Sequence, residues 1–278
     1  MTSPELLAEL RMAQELVTAL VEDLDESTWR ERCHPDLEAA GWYLGHCVWA
    51  ECHWLQQVAM ADDRFTAPVA HLYAPDHTAG ETRDVQLPPR DALMQWAGAM
   101  QSLNQEALED NSSALHRHPL MQDDYLVHFL IAYYSRYFEI LMMVLTQRAL
   151  QQDDGGFTVS QPLSPARAED DTHVISPGHY RVGGQPPAAF DNELPQQQAT
   201  LGPYRIASRP VSNSHYLTFM EDGGYDDSSL WPDEATTWLG KHGTRAPGHW
   251  RRDTGGNWYG IGSRGPYELM DDDVLQGI

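Results

Sequence analysis

The sequence predicts an α+β protein: an antiparallel four-helix bundle first, then a partial, irregular mixed α/β domain. Three observations carry this. Apolar residues recur at helical spacing from Pro4 to about Asp153, the period is lost through "QQDDGGFTVSQPLSPARAEDD", and short alternating stretches broken by Gly, Pro and Asn follow. The expected division is a bundle over 1–153, a linker over 154–172 and a second domain over 173–278. At 278 residues the chain is long enough for two domains of ordinary size, each with its own core.

The first helix opens at "SPELLAEL", where Ser3 can cap and Pro4 fits the first turn, and runs to about Leu24. The second follows "CHPDLEAA" and covers about Asp36 to Met60. "LPPRDALMQWAGAM" opens the third, from about Pro89 to Asn111, and the fourth covers about Asp123 to Gln152. Two short links and one longer one, about 62–88, suit an up-and-down bundle. In the second half, "HVISPGHYRVGG", "QQQATLGPYRIASRPVS" and "GNWYGIG" read as strands and loops. One helix is expected at "SNSHYLTFMEDGG", capped by Ser212 or Asn213 and ended by Gly223.

Lys and Arg total 18 against 41 Asp and Glu, a formal charge of −23, so phosphate backbones and anionic lipid surfaces are repelled. Nucleic acid and membrane are thereby excluded as expected partners. Lys241 is the single lysine, which leaves little scope for Schiff-base chemistry. Three cysteines (Cys33, Cys47, Cys52), an odd number without a signal peptide, favour a reducing cytoplasm over a disulfide scaffold. No run approaches the roughly 18 apolar residues of a membrane span, and the expected location is cytoplasmic.

The fourth helix carries "AYYSRYFEI", which sets Tyr133 and Tyr137 four apart on one face with Glu139 two further on. The second carries His46 in "GWYLGHCVWAE". Other potential ligands lack a recognised spacing. His46 and His53 stand two turns apart, Cys33 and His34 lie near a helix start, and His116 and His118 lie in a loop. "APGHWRRDTGGNWYGIG" offers Trp250, Arg251 and Arg252, which either cradle a substrate carboxylate or form a plain surface hairpin.

Together these stretches resemble a known family. "GWYLGHCVWAE" resembles the W-x-L-x-H signature of DinB-like helical bundles. Residues 190–231, from "FDNELPQQQ" to "GGYDDSSLW", resemble the opening of the formylglycine-generating-enzyme-type domain, and "APGHWRRDTGGNWYGIG" is similar to the segment that follows it. The pair is the architecture of the ergothioneine- and ovothiol-type sulfoxide synthases, which are non-haem iron enzymes. The resemblance implies O2-dependent carbon–sulfur bond formation on a histidine derivative, with Fe(II) held by one histidine of W-x-L-x-H and two of an H-x-x-x-H-x-E motif. His46 matches the first position and Glu139 the family glutamate, whereas Tyr133 and Tyr137 stand at the other two ligand positions.

Two readings of these phenols follow from their chemistry. Phenol has a pKa near ~10, so it suits ferric iron after losing its proton and suits Fe(II) poorly. Alternatively the tyrosines belong to the core stripe Leu126, Leu130, Tyr133, Tyr137, Ile140, Val144 and their hydroxyls find hydrogen-bond partners. The expectation is a degenerate site that binds Fe(II) weakly or not at all. The expected partner is a histidine- or thiol-derived small molecule. The resemblance further implies a second domain completed by residues beyond "LMDDDVLQGI", covered by a second copy or a partner chain.

Overall fold

A computed structural model describes residues 2–74, 86–110, 114–167 and 171–276. Four long helices arise where the 3.6-residue period places them. Helix α1 spans Pro4–Val21, with the Ser3 hydroxyl accepting from Leu6 N at 3.1 Å and Pro4 in the first turn. It buries Leu6, Leu7, Leu10, Ala13, Val17 and Val21. A short α2, Glu26–Arg30, follows; Asp25 caps it and Trp29 is fully buried. Helix α3, Ala40–Cys52, continues into a π-helical turn over His53–Val58. It starts later than the sequence suggests, because residues before Ala40 turn around the His34 ring, whose Nδ1 accepts from Asp36 N. Helix α4 is one turn, Ala70–Tyr73, within the long link, part of which lies outside the described residues. Helices α5, Arg90–Glu109, and α6, Tyr125–Gln152, complete the set.

These helices share one core that includes Trp29, Leu44, Leu55, Leu93, Leu108, Leu126, Leu130 and Leu141. Each fully buried leucine contributes about 1.5–3 kcal/mol through water release. By length and composition the helical run over Pro119–Gln152 is apolar enough to span a membrane. In the fold, Leu126, Leu130, Tyr134, Leu141 and Val144 of α6 face the core, while Met143 is exposed.

Two compact units emerge: residues 1–147 with 181–198, and residues 148–180 with 199–278. Unit 2 has strands β1 (Thr172–Ile175) and β4 (Tyr204–Ala207) paired antiparallel, His173 opposite Ile206. Strands β2 (Gly178–Val182) and β3 (Gln197–Leu201) pair with each other. Helix α7, Asn213–Glu221, is capped by Ser212 and followed by Gly223 at φ +80°, as its sequence implies. Helix α8, Asp233–His242, ends at left-handed Gly243. A three-stranded antiparallel meander closes the unit: β5 Trp250–Arg252, β6 Trp258–Gly262, β7 Gly265–Glu268.

The stretch read from sequence as a linker is partly ordered by unit 2. Phe157 and Val159 pack with Tyr259 and Ile261, and Leu163 packs with Trp250 and Leu269. Three apolar residues spaced through a Gly- and Pro-rich stretch suffice to lay it down.

Candidate functional site

The site is built on α3. Two glycines four apart on that helix allow two aromatic rings to press against its backbone. A Cβ on Gly41 would fall 2.4 Å from the Trp29 ring, and one on Gly45 would fall 2.2 Å from the Tyr73 ring. With Tyr73 so close, α4 docks through two carbonyls. Leu72 O accepts from Trp42 Nε1 at 2.8 Å, and Tyr73 O lies 2.7 Å from His46 Nδ1.

A carbonyl can only accept, so Nδ1 of His46 carries a proton and the neutral ring presents its lone pair at Nε2. Tyr133 Oη lies 2.6 Å from that nitrogen and Tyr137 Oη 3.0 Å. The two phenol rings lie beside each other, with centroids 4.9 Å apart. The i, i+4 spacing on α6 thus brings both hydroxyls to the one imidazole that the sequence singled out. His46 is 1% exposed and is clamped between rings, Trp42 stacked at 4.5 Å and Trp49 at 6.2 Å. Burial pushes the Tyr133 phenol well above its ordinary value, and the neighbouring Tyr137 adds to it; burial raises Tyr137 too. Glu139 is exposed.

A second polar cluster lies deeper in the same unit. Glu51, fully buried on α3, accepts from Gln14 Nε2 of α1 at 2.9 Å, from Tyr134 Oη of α6 at 2.6 Å and from Asn104 Nδ2 of α5 at 3.0 Å. Asn104 Oδ1 accepts from Gln56 Nε2 at 2.7 Å. Burial raises the Glu51 carboxyl above its ordinary value, while the three donors pull it down. Tyr134 adjoins Tyr133 in sequence but is turned about 100° around α6. Sequence reasoning missed this network. Its one signal was a carboxylate in the otherwise apolar run "GWYLGHCVWAEC".

Of the remaining candidates, Cys52 Sγ accepts from Asn104 Nδ2 of this network at 3.5 Å. Cys33, Cys47 and Cys52 are buried free thiols, and burial raises Cys47 well above its usual range. His53 stacks on Trp49 at 5.1 Å and meets Gln57, and His118 Nδ1 accepts from Leu120 N. Among the described residues no three His, Cys, Asp or Glu side chains converge as metal ligands do. In unit 2, Trp250 is buried, Arg251 donates to Gly248 O and Trp250 O, and the Arg252 guanidinium lies 4.3 Å over the Trp258 ring. The β5–β6 hairpin thus engages both arginines.

Comparisons with known proteins agree with the two-part reading. Residues 9–131 match the DinB superfamily, and residues 159–268 match the sulfatase-modifying factor enzyme 1-like domain. Tyr133 and Tyr137 fall just past the first match. Over 265 residues the chain is 28% identical to the hercynine oxygenase of Mycolicibacterium smegmatis, covering 91% of this chain and 59% of that protein. Over 267 residues it is 25% identical to that of Mycolicibacterium thermoresistibile, covering 90% and 55%. A 65-residue stretch, 23% of this chain and 15% of the relative, is 34% identical to the hercynine oxygenase of Mycobacterium tuberculosis. The chain therefore spans somewhat over half the length of the two relatives that it matches throughout.

Proposed function

We infer, from a chain that joins a DinB-superfamily domain to a sulfatase-modifying-factor-like domain with homology to hercynine oxygenase across both, a relative that has given up ferrous iron. It binds a histidine-derived small molecule and does not oxygenate it. The single observation that carries this is the hydrogen bond from Tyr133 Oη to His46 Nε2 at 2.6 Å, with Tyr137 Oη 3.0 Å from the same nitrogen.

The donor set does not fit Fe(II). That ion takes neutral imidazoles at open positions, and here the lone pair that would bind it is engaged by a phenol. The phenols themselves would have to lose protons that burial holds more tightly than water does. One histidine with two protonated phenols supplies too few donors to replace three imidazoles. No step through iron is therefore assigned to this chain.

The test is anaerobic dialysis against Fe(II), desalting and metal analysis, with oxygen uptake measured in the presence of hercynine and a thiol. The account expects iron far below one per chain, no substrate-dependent oxygen uptake, and saturable binding of hercynine. Stoichiometric iron with thiol-dependent turnover would overturn it.

A second reading rests on a different observation. Tyr204 and Ile206 are 44% and 52% exposed and share with Ile175 one face of the β1–β4 pair. Such a face suits cover by a second copy of the chain. Light scattering on the pure protein decides it: a monomer at all concentrations rules out the second copy.

A further inference from the structure

Tyrosine hydroxyls elsewhere in the chain meet weak bases. Tyr180 donates to Ser176 O at 2.6 Å, Tyr216 and Tyr225 share a bond at 2.8 Å, and Tyr259 donates to the Asp153 carboxylate at 2.8 Å. Tyr133 instead meets the neutral imidazole of His46, at 2.6 Å. An imidazole takes up a proton with an ordinary pKa near ~6.5, against about 4 for a carboxylate. The Tyr133 hydroxyl therefore stands beside a stronger base than any of these other phenols.

This contact changes what the ring can do when an electron is removed. A phenol that loses an electron becomes a strong acid, so the proton must leave with the electron or the loss is blocked. Burial keeps the proton on Tyr133 beforehand, which closes the alternative route through a phenolate. At 2.6 Å the acceptor is already in place, and no rearrangement has to precede the transfer.

His46 is equally prepared to receive the proton. Once protonated, its ring has two N–H donors and both have partners: Nδ1 has the Tyr73 carbonyl at 2.7 Å, and Nε2 has the Tyr133 oxygen. Trp42 stacks on the imidazole at 4.5 Å with planes 12° apart, a ring face that stabilises the new cation. Because His46 is buried, the proton stays within the pair and can return. The Tyr133 ring is half-buried, within reach of a dissolved oxidant. Phe129 flanks it at 5.5 Å, and Phe190, on a loop that belongs to the helical unit, meets Phe129 edge to face at 6.1 Å. Phenylalanine rings are harder to oxidise than a phenol and leave a radical where it forms.

We propose that Tyr133 and His46 form a redox pair: a one-electron oxidant, such as a peroxyl radical, takes an electron from the Tyr133 ring while the hydroxyl proton passes to His46 Nε2. The oxidant becomes its anion, the O–H bond of Tyr133 breaks and an N–H bond forms on His46. A neutral tyrosyl radical beside an imidazolium remains. A one-electron reductant, such as ascorbate, reverses both transfers. This activity needs neither iron nor a bound ligand, and so goes beyond the binding reading above.

The test mixes the whole chain, with an iron chelator present, with tris(bipyridine)osmium(III), a mild outer-sphere oxidant whose positive charge suits a chain of −23. Samples frozen during the reaction at neutral pH are read by electron paramagnetic resonance, and the rate by stopped-flow absorbance. Wild type should give a neutral tyrosyl radical, form it more slowly in heavy water, and lose it when ascorbate is added. Tyr133→Phe should remove this signal or change its hyperfine pattern, whereas Tyr137→Phe leaves the shorter bond in place and should keep it. His46→Gln retains a hydrogen-bonding side chain without the basicity and should slow radical formation about 100-fold, the lower end of what a positioned base contributes. The isotope effect is read on unaltered protein, so that result does not depend on how the variants fold. A spectrum unchanged in Tyr133→Phe, equal rates in light and heavy water, or a His46→Gln variant that reacts like wild type overturns the pair. So does a wild type that gives only a tryptophan radical, or none.

Discussion

Removing the two phenols one at a time and then together distinguishes a hydrogen-bonded cluster from two independent side chains. In Tyr133→Phe the donor at 2.6 Å from His46 Nε2 is lost, but Tyr137 Oη, 3.0 Å away, can turn onto the same lone pair. The net cost is then that of one ordinary hydrogen bond, about 0.5–1.5 kcal/mol. Tyr137→Phe leaves the shorter bond in place and should cost no more. In the double variant the imidazole nitrogen, on a residue only 1% exposed, has neither phenol. An unsatisfied buried acceptor costs about 1–3 kcal/mol, so the double change should exceed the sum of the singles by about 1 kcal/mol or more. Urea unfolding followed by helical circular dichroism reads this. With a slope of about 1–3 kcal/mol per molar urea, the double variant should shift the midpoint by roughly 1 M. Additivity within about 0.5 kcal/mol would refute the shared lone pair.

Three further outcomes follow from the same geometry. Gly45→Ala forces a methyl to 2.2 Å from the Tyr73 ring and should destabilise the helical unit by about 1–3 kcal/mol, read by thermal unfolding; a loss under about 0.5 kcal/mol would mean that α4 does not press on α3. Because burial raises Glu51 in the folded state, the folded protein holds this proton more tightly than the unfolded chain. This contribution is fully present below the ordinary value of 4.5 and is lost as pH rises through the folded value. Glu51→Gln should flatten that fall in urea midpoints measured from pH 4 upward, and an unchanged pH profile would contradict it. Tyr133→His with Tyr137→His returns imidazoles at i and i+4 opposite His46 and should confer Fe(II) retention through desalting; a double variant as iron-free as wild type would show that more than the two ligands has changed.

Much of the helical half was legible because one face of each helix is apolar with a 3.6-residue period, and Ser3, Pro4, Ser212 and Gly223 mark element ends by local chemistry. The pairing of His46 with Tyr133 and Tyr137 was half legible: the spacing on α6 gave the shared face, and the resemblance supplied the partner helix. The Glu51 network was not legible, since Gln14, Asn104, Gln56 and Tyr134 come from three further helices and the π-helical turn, and no local rule relates them. Nor was the placement of Phe190. A loop between two strands of one sequence domain packs on the helices of another segment, a long-range choice decided by the Phe129 contact rather than by any pattern near residue 190. The docking of α4 similarly depends on Gly45, a glycine within a helix whose purpose is visible only once the Tyr73 ring lies against it.

The central claim, that phenols fill the place of two metal ligands by bonding to the third, is tested most directly by a crystal structure from anaerobic crystals soaked in ferrous iron. The account predicts Tyr133 Oη still near 2.6 Å from His46 Nε2 and no ion between them. An ion bonded to His46 and to either tyrosine oxygen at about 2.2 Å would contradict it.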